Sequence, residues 1–72
     1  MKRTLWDLEP GECCTIAGLD CAGTMRRRLM DLGFVEGQRV RKLLHNRGMA
    51  AYLVRGTLIA LRRADAEQIR RG

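Results

Sequence analysis

The chain has 72 residues, of which 46% are hydrophobic and 31% charged, and its formal net charge is +6 at pH 7. This length allows one domain, residues 1–72, near the lower size limit for a core that is stable without disulfides or metals. The composition excludes a disordered tail. No apolar run approaches the roughly 20 residues of a membrane-spanning helix, and no signal peptide is recognisable. We therefore expect a folded domain in the cytoplasm, where thiols stay reduced.

The positive charge is concentrated in the second half of the chain. Residues 1–36 carry five basic and six acidic side chains, whereas residues 37–72 carry nine basic and two acidic ones. A basic surface of this kind suits nucleic acid, an acidic protein or the anionic inner leaflet of a membrane. Charge alone does not choose among these partners.

Short apolar runs between closely spaced turn residues predict a small domain that is mainly β. Residues 4–8 form a leading segment whose two leucines are expected on the core, and residues 12–19 form the first strand. A helix follows, with Thr24 as its N-cap and Gly33 as the left-handed residue that ends it.

The second half of the chain predicts three strands and a short helix. Residues 38–44 form a strand whose alternation slips at two adjacent leucines, which indicates a β-bulge. Residues 50–55 and 57–63 form a hairpin across a glycine. Residues 64–71 form a C-terminal helix with acidic residues early and arginines late, as the helix dipole favours.

The side chains of the first helix separate by angle. Met25, Leu29 and Leu32 lie within about 60° of one another and are expected to face the core. The three consecutive arginines that begin at Arg26 point in directions about 100° apart, so they do not form one contact patch. Met30 lies off the core stripe beside Arg26. It is either a scattered surface methionine or a point of contact with a partner.

The three cysteines do not predict a disulfide or metal framework. Cys13, Cys14 and Cys21 are odd in number and clustered, which is unlike a disulfide scaffold. We expect Cys14 to act as a small apolar filler. Cys13, Cys21 and the single histidine, His45, could supply three ligands only if the fold gathered them, and their spacing matches no standard zinc pattern. We predict no metal site and no other cofactor.

Three stretches, in order, resemble the FeoA family of small cytosolic proteins associated with bacterial ferrous iron uptake. They are TLWDLEPGECCTIAGL, MRRRLMDLGFVEGQRV and VRGTLIALRRADAEQI, and they cover nearly the whole chain. The most specific part is the run from Arg27 to Val40, which contains DLGF and a following glycine. The second is IALRRADA near the end of the chain.

The resemblance implies an SH3-like small β-barrel with one inserted helix. It also implies a partner, the FeoB ferrous iron transporter, contacted on its cytosolic side, so that the chain approaches a membrane only through that partner. The same fold occurs as the C-terminal domain of iron-dependent repressors of the DtxR type. Where a last apolar strand is expected, this chain ends in IRRG. We therefore expect the closing strand to be missing or frayed.

Among functions, catalysis is not expected, because no nucleophile–base pair and no glycine-rich phosphate loop are recognisable. A basic barrel that binds nucleic acid is one alternative, although three scattered aromatic residues offer little base stacking. A metal-responsive regulatory module is another. We favour a protein-interaction module that contacts the transporter through Arg26, Met30 and Phe34, with Arg27 at the rim. Weak self-association through Met30 or an unpaired strand edge stays open.

Overall fold

The computed structural model describes residues 3–72, so residues 1 and 2 of the predicted domain lie outside the described part. Its elements, in chain order, are a 3₁₀ turn (Leu5–Asp7), β1 (Cys13–Leu19), α1 (Gly23–Asp31), β2 (Arg39–His45), β3 (Met49–Val54), β4 (Thr57–Arg62), α2 (Arg63–Ala66) and β5 (Ile69–Arg71). The strands form one antiparallel sheet in the order β4-β3-β2-β1-β5. The predicted architecture, mainly β with short helices, is confirmed.

Alternate residues of the strands point into one core. In β3, Ala50, Tyr52 and Val54 are buried, whereas Met49 before them and Leu53 between them are exposed. This period of two is what a sheet with one buried face requires. The buried hydrophobic residues are Leu5, Leu8, Ile16, Leu29, Phe34, Val40, Ala50, Tyr52, Val54, Leu61, Ala66 and Ile69.

The predicted β-bulge in β2 is present. The register between β2 and β3 shifts between Lys42 and Leu44. Because the shift adds a residue to β2, Leu43 and Leu44 are both exposed although they are adjacent. The broken alternation in the sequence therefore reports a real irregularity of the sheet.

Helix α1 ends in the reversal that Gly33 predicts. Gly33 has a φ of 109°, and its N–H donates to the Met30 carbonyl over 3.0 Å. The N–H of Phe34 donates to the Leu29 carbonyl over 3.0 Å. These two bonds form a Schellman motif, in which the residue after the glycine packs back on the last helical turn. Phe34 and Leu29 are accordingly both buried.

Two predicted details of α1 are wrong. The residue before the helix is Ala22 rather than Thr24, and no side chain of the described residues caps this end. Leu32, expected on the core stripe, is 41% exposed. It follows the last helical residue, and the reversal at Gly33 brings Phe34 over Leu29 in its place. The larger ring therefore occupies the core position that the helical spacing assigned to Leu32.

The end of the chain also differs from the prediction. The predicted helix over residues 64–71 stops at Ala66, and the closing strand expected to be missing or frayed is present as β5. Ile69, which the helical prediction placed on a narrow apolar side, is instead fully buried and pairs with Leu19 of β1. The two arginines that follow Ile69 are held by backbone hydrogen bonds. The Arg71 N–H, for example, donates to the Arg3 carbonyl over 2.9 Å. One buried side chain and a paired backbone are sufficient for this short strand.

The leading segment lies on the barrel as predicted, with Leu5 and Leu8 buried. Two side chains of the sheet hold it there. The Tyr52 hydroxyl donates to the Leu5 carbonyl over 2.9 Å, and the Lys42 amine donates to the Trp6 carbonyl over 2.8 Å. Tyr52 and Lys42 are both fully buried, so the segment is attached from inside the core.

Replacing Gly33 by alanine should destabilise the fold by about 2 kcal/mol, because an L-residue is strained at this positive φ. The added Cβ would also lie 3.0 Å from Val54 Cγ1. Chemical denaturation measures the effect. Gly48→Ala is the matched control, since its added Cβ meets nothing within 4 Å and its φ is not in the left-handed region. Equal stability of the two variants would contradict the assigned role of Gly33.

Tyr52→Phe should lower the free energy of unfolding by about 1.5 kcal/mol at neutral pH, because the Leu5 carbonyl loses the phenol donor and keeps only the longer bond from the Leu8 N–H, at 3.3 Å. Burial raises the pKa of the Tyr52 phenol above its ordinary value, which is about 10. The contribution of the phenol is therefore complete below about pH 10 and is lost as the pH rises further. The stability difference between the wild type and Tyr52→Phe should shrink there. A difference that stays constant to pH 11 would contradict this linkage.

Candidate interaction surface on helix α1

Three side chains that the sequence singles out lie together on the exposed side of α1. Arg26 and Arg27 are exposed, and Met30 is 39% exposed. Met30 follows them by four and three residues, the spacings that make neighbours on a helix surface. With Gly23 and Asp31 they line a shallow, open depression. The helix therefore presents one methionine between two arginines.

Arg26 and Met30 also border a second depression, between α1 and the β1–β5 edge of the sheet. Its far wall includes Gly18 of β1 and Arg70 of β5, and Glu36 lies at its rim. Because Arg26 and Met30 line both depressions, they form the ridge that separates them. We call this feature the α1 ridge, defined by Arg26 and Met30.

Gly18 allows Arg70 to lie flat against β1. A Cβ at this position would collide with the Arg70 guanidinium. Arg70 is oriented by Asp20, since its Nε donates to Asp20 Oδ1 over 2.8 Å. The second depression therefore has a fixed basic wall, which no local sequence pattern predicts because Gly18 and Arg70 meet only when β1 pairs with β5.

The arginines of α1 have no acidic partner in the described part of the chain. The ion pairs found among residues 3–72 all use arginines near the C-terminus, namely Arg62, Arg63, Arg70 and Arg71. Arg26 and Arg27 make neither an ion pair nor a side-chain hydrogen bond there. Their guanidinium groups are available to a carboxylate or a carbonyl of another molecule.

Phe34, the fourth predicted contact residue, is not on the surface. Its exposed fraction is 0%, and its ring packs edge to face on Tyr52 with the ring centroids 6.3 Å apart. Its assignment as a contact residue is therefore wrong. Phe34 belongs to the core beneath the end of α1.

The cysteines and the histidine have separate environments. Cys14 is half-buried against the core, and this burial raises the pKa of its thiol. The His45 ring lies on Trp6, with ring centroids 4.7 Å apart. Within residues 3–72 no three His, Cys, Asp or Glu side chains are close enough to hold a metal ion. Cys13, Cys21 and His45 are thus not gathered into one site.

The burial of Lys42 was not predicted from the sequence. Lys42 is fully buried, with its amine 4.8 Å from the centroid of the Trp6 ring. Its position two residues after the inward Val40 places it on the inner face of β2, so strict alternation could have found it. Its role is structural, since the amine is bonded to the Trp6 carbonyl.

The fold and the α1 ridge define a small SH3-like β-barrel domain with an exposed face that is partly basic and partly apolar. A model of the FeoA domain matches residues 3–70. The chain therefore belongs to the FeoA domain family. None of the curated proteins matches the sequence significantly.

Solved structures of the family are similar over the whole domain. The FeoA protein from Chlorobium tepidum is 31% identical with a TM-score of 0.81, and the alignment covers 99% of this chain and 68% of that one. FeoA from Stenotrophomonas maltophilia is 25% identical with a TM-score of 0.86, covering 96% and 88% of the two chains. That structure is a zinc complex of a protein described as a procaryotic SH3 domain.

A repressor domain has the same fold. A manganese-dependent transcriptional repressor is 25% identical with a TM-score of 0.89, and the alignment covers 97% of this chain but 36% of the repressor. The present chain thus corresponds to about a third of that protein.

Among the helices of residues 3–72, none has the length and apolar character needed to cross a membrane.

Proposed function

We propose that this protein is a cytoplasmic accessory protein of ferrous iron uptake. In this role it binds the cytosolic portion of a FeoB-type transporter and modulates the transport cycle through contact. The observation that carries the proposal is the FeoA domain match over residues 3–70. The Stenotrophomonas maltophilia relative, suggested to be a ferrous iron transport activating factor, supports the same role.

The α1 ridge is the proposed contact. Met30 offers apolar surface at 39% exposure, and Arg26 beside it makes no ion pair within the described residues. Arg27 extends the basic rim on the other side of the first depression. A partner surface with an apolar centre and acidic edges would complement this arrangement. The proposal requires neither a catalytic group nor a cofactor.

A metal-responsive regulatory module is the second candidate. The observation that favours it is the likeness to the manganese-dependent repressor, with a TM-score of 0.89 over 97% of this chain. In this case binding of a divalent cation would change the capture of the partner. Capture that is unchanged by added Mn²⁺ or Fe²⁺, in protein whose NMR spectrum is also unchanged, would contradict it.

Met30→Asp should weaken capture by the cytosolic portion of the transporter about tenfold, because it places a charge at the centre of the contact. The measurement is a pull-down with purified partner over a range of concentrations. Leu32→Asp is the matched control. It adds the same charge beside the same helix at a residue that is 41% exposed and lines neither depression.

The outcomes of this experiment separate the site from the function. Equal capture of wild type and Met30→Asp would refute the α1 ridge but not the partner. Failure of the wild type to be captured would refute the partner. Thermal unfolding of both variants shows whether the fold is retained, which we expect because both positions are exposed.

A further inference from the structure

The outer face of strands β2, β3 and β4 carries an exposed apolar patch. Cross-strand pairing places Leu53 beside Leu58, and Ala51 beside Ala60. Leu58 is 59% exposed, and Leu44, which continues the alanine row onto β2, is 66% exposed. We call these five residues the outer sheet face. They belong to strands that take no part in the α1 ridge.

Strand β4 is also an edge of the sheet, since among residues 3–72 its only neighbour is β3. The hairpin turn has a positive φ at both Arg55 and Gly56, as in a two-residue type I′ turn. Such a turn makes Val54 and Thr57 a hydrogen-bonded pair, and the pairs then alternate along the hairpin. The backbone N–H and C=O groups of the alternate residues of β4, which include Leu58 and Ala60, therefore point away from β3.

These outward groups are unpaired in the described structure. Within residues 3–72 neither Leu58 nor Ala60 makes a backbone hydrogen bond other than in the sheet. Ile59, which lies between them and faces the inner side of the sheet, is only partly buried. Both faces of β4 at this edge therefore present apolar side chains. An extended chain laid along this edge could therefore gain both backbone hydrogen bonds and apolar contacts.

The exposed charge beside this edge is mainly positive. No Asp or Glu occurs in residues 37–64. Arg41 pairs with Leu53 across the outer sheet face, and Arg62, whose side chain is 74% exposed, ends β4. Arg62 has one weak acidic neighbour, Asp65, at 4.0 Å. An acidic residue of an added chain would meet complementary charge at the Arg62 end of β4.

We propose that the free edge of β4 binds an extended acidic segment of a partner protein, which joins the sheet as an added strand. Apolar side chains of the segment would lie beside Leu58 and Ala60, and an acidic one beside Arg62. Residues on its other face would cover Ile59. The proposal does not depend on the transporter or on the α1 ridge.

Two other occupants fit the surface less well. Nucleic acid would need exposed aromatic rings for stacking, but Phe34 and Tyr52 are buried and the Trp6 ring lies against Lys42 and His45. A second copy of this chain would bring together two faces that both lack acidic residues, and like charges disfavour that association.

The experiment uses a short capped peptide in which valine and threonine alternate between terminal glutamates. We expect saturable binding at low salt, NMR shifts centred on the β4 amides, and slower hydrogen exchange at the amides of Leu58 and Ala60. Two control peptides, one with lysines for the glutamates and one N-methylated on alternate residues, should not bind. Binding of either control peptide with equal affinity, or unchanged exchange at both amides, would overturn the proposal.

Ala60→Glu should lower the affinity for the glutamate peptide about tenfold, because it places a negative charge beside the negatively charged added strand. Leu32→Glu adds the same charge at a residue that is 41% exposed and lies outside the outer sheet face, so it should leave the affinity within about twofold. Equal weakening by both variants would show a general charge effect and refute the site. A single-stranded oligonucleotide that shifts the β4 amides, or a concentration-dependent dimer that protects them, would also overturn the proposed occupant.

Discussion

Two buried polar side chains of the sheet, Lys42 and Tyr52, attach the leading segment to the barrel, and the rest of the fold depends on this attachment. Their bonds to the carbonyls of Trp6 and Leu5 place the leucines of that segment in the core. The burial that excludes water also lowers the pKa of Lys42, an effect that three nearby carboxylates within residues 7–12 oppose. The acidic residues of the first half thus compensate a charge inside the domain. The arginines of the second half are left mainly on its surface.

Much of this fold could be predicted because the hydrophobic residues of a half-buried strand recur with a period of two. The bounds of β1, β2 and the hairpin followed from alternation to within one residue, and the bulge followed from a break in it. Gly33 was predictable because a left-handed residue before Phe34 is a local requirement of the helix end. The strand β5 was not, because Ile69 is its only buried residue. A pattern of one residue carries no period, and only pairing with β1 makes the segment a strand.

The candidate surfaces were predictable to different extents. Helical angles placed Arg26 and Met30 away from the core, and both are exposed. The same angles misplaced Leu32, which follows the last helical residue and is exposed, because the reversal at Gly33 brings Phe34 over Leu29 instead. The basic wall formed by Arg70 depends on strand order, as does the exposure of the β4 edge. Strand order is a property of the assembled sheet, so neither feature could be inferred from a local stretch of sequence.

The two edge strands of the sheet differ in whether another segment of the chain bonds to them, and this difference bears on function. Strand β5 is tied to the leading segment by the bond from Arg71 to Arg3 and by a bridge between Thr4 and Arg70. Strand β4 has no such tether among the described residues. Exposed edges usually carry a proline, a bulge or inward charges that discourage pairing, yet β4 contains none of these and carries Leu58 instead. Its remaining protection is positive charge at Arg62, which repels other basic chains and leaves an acidic strand as the favoured addition.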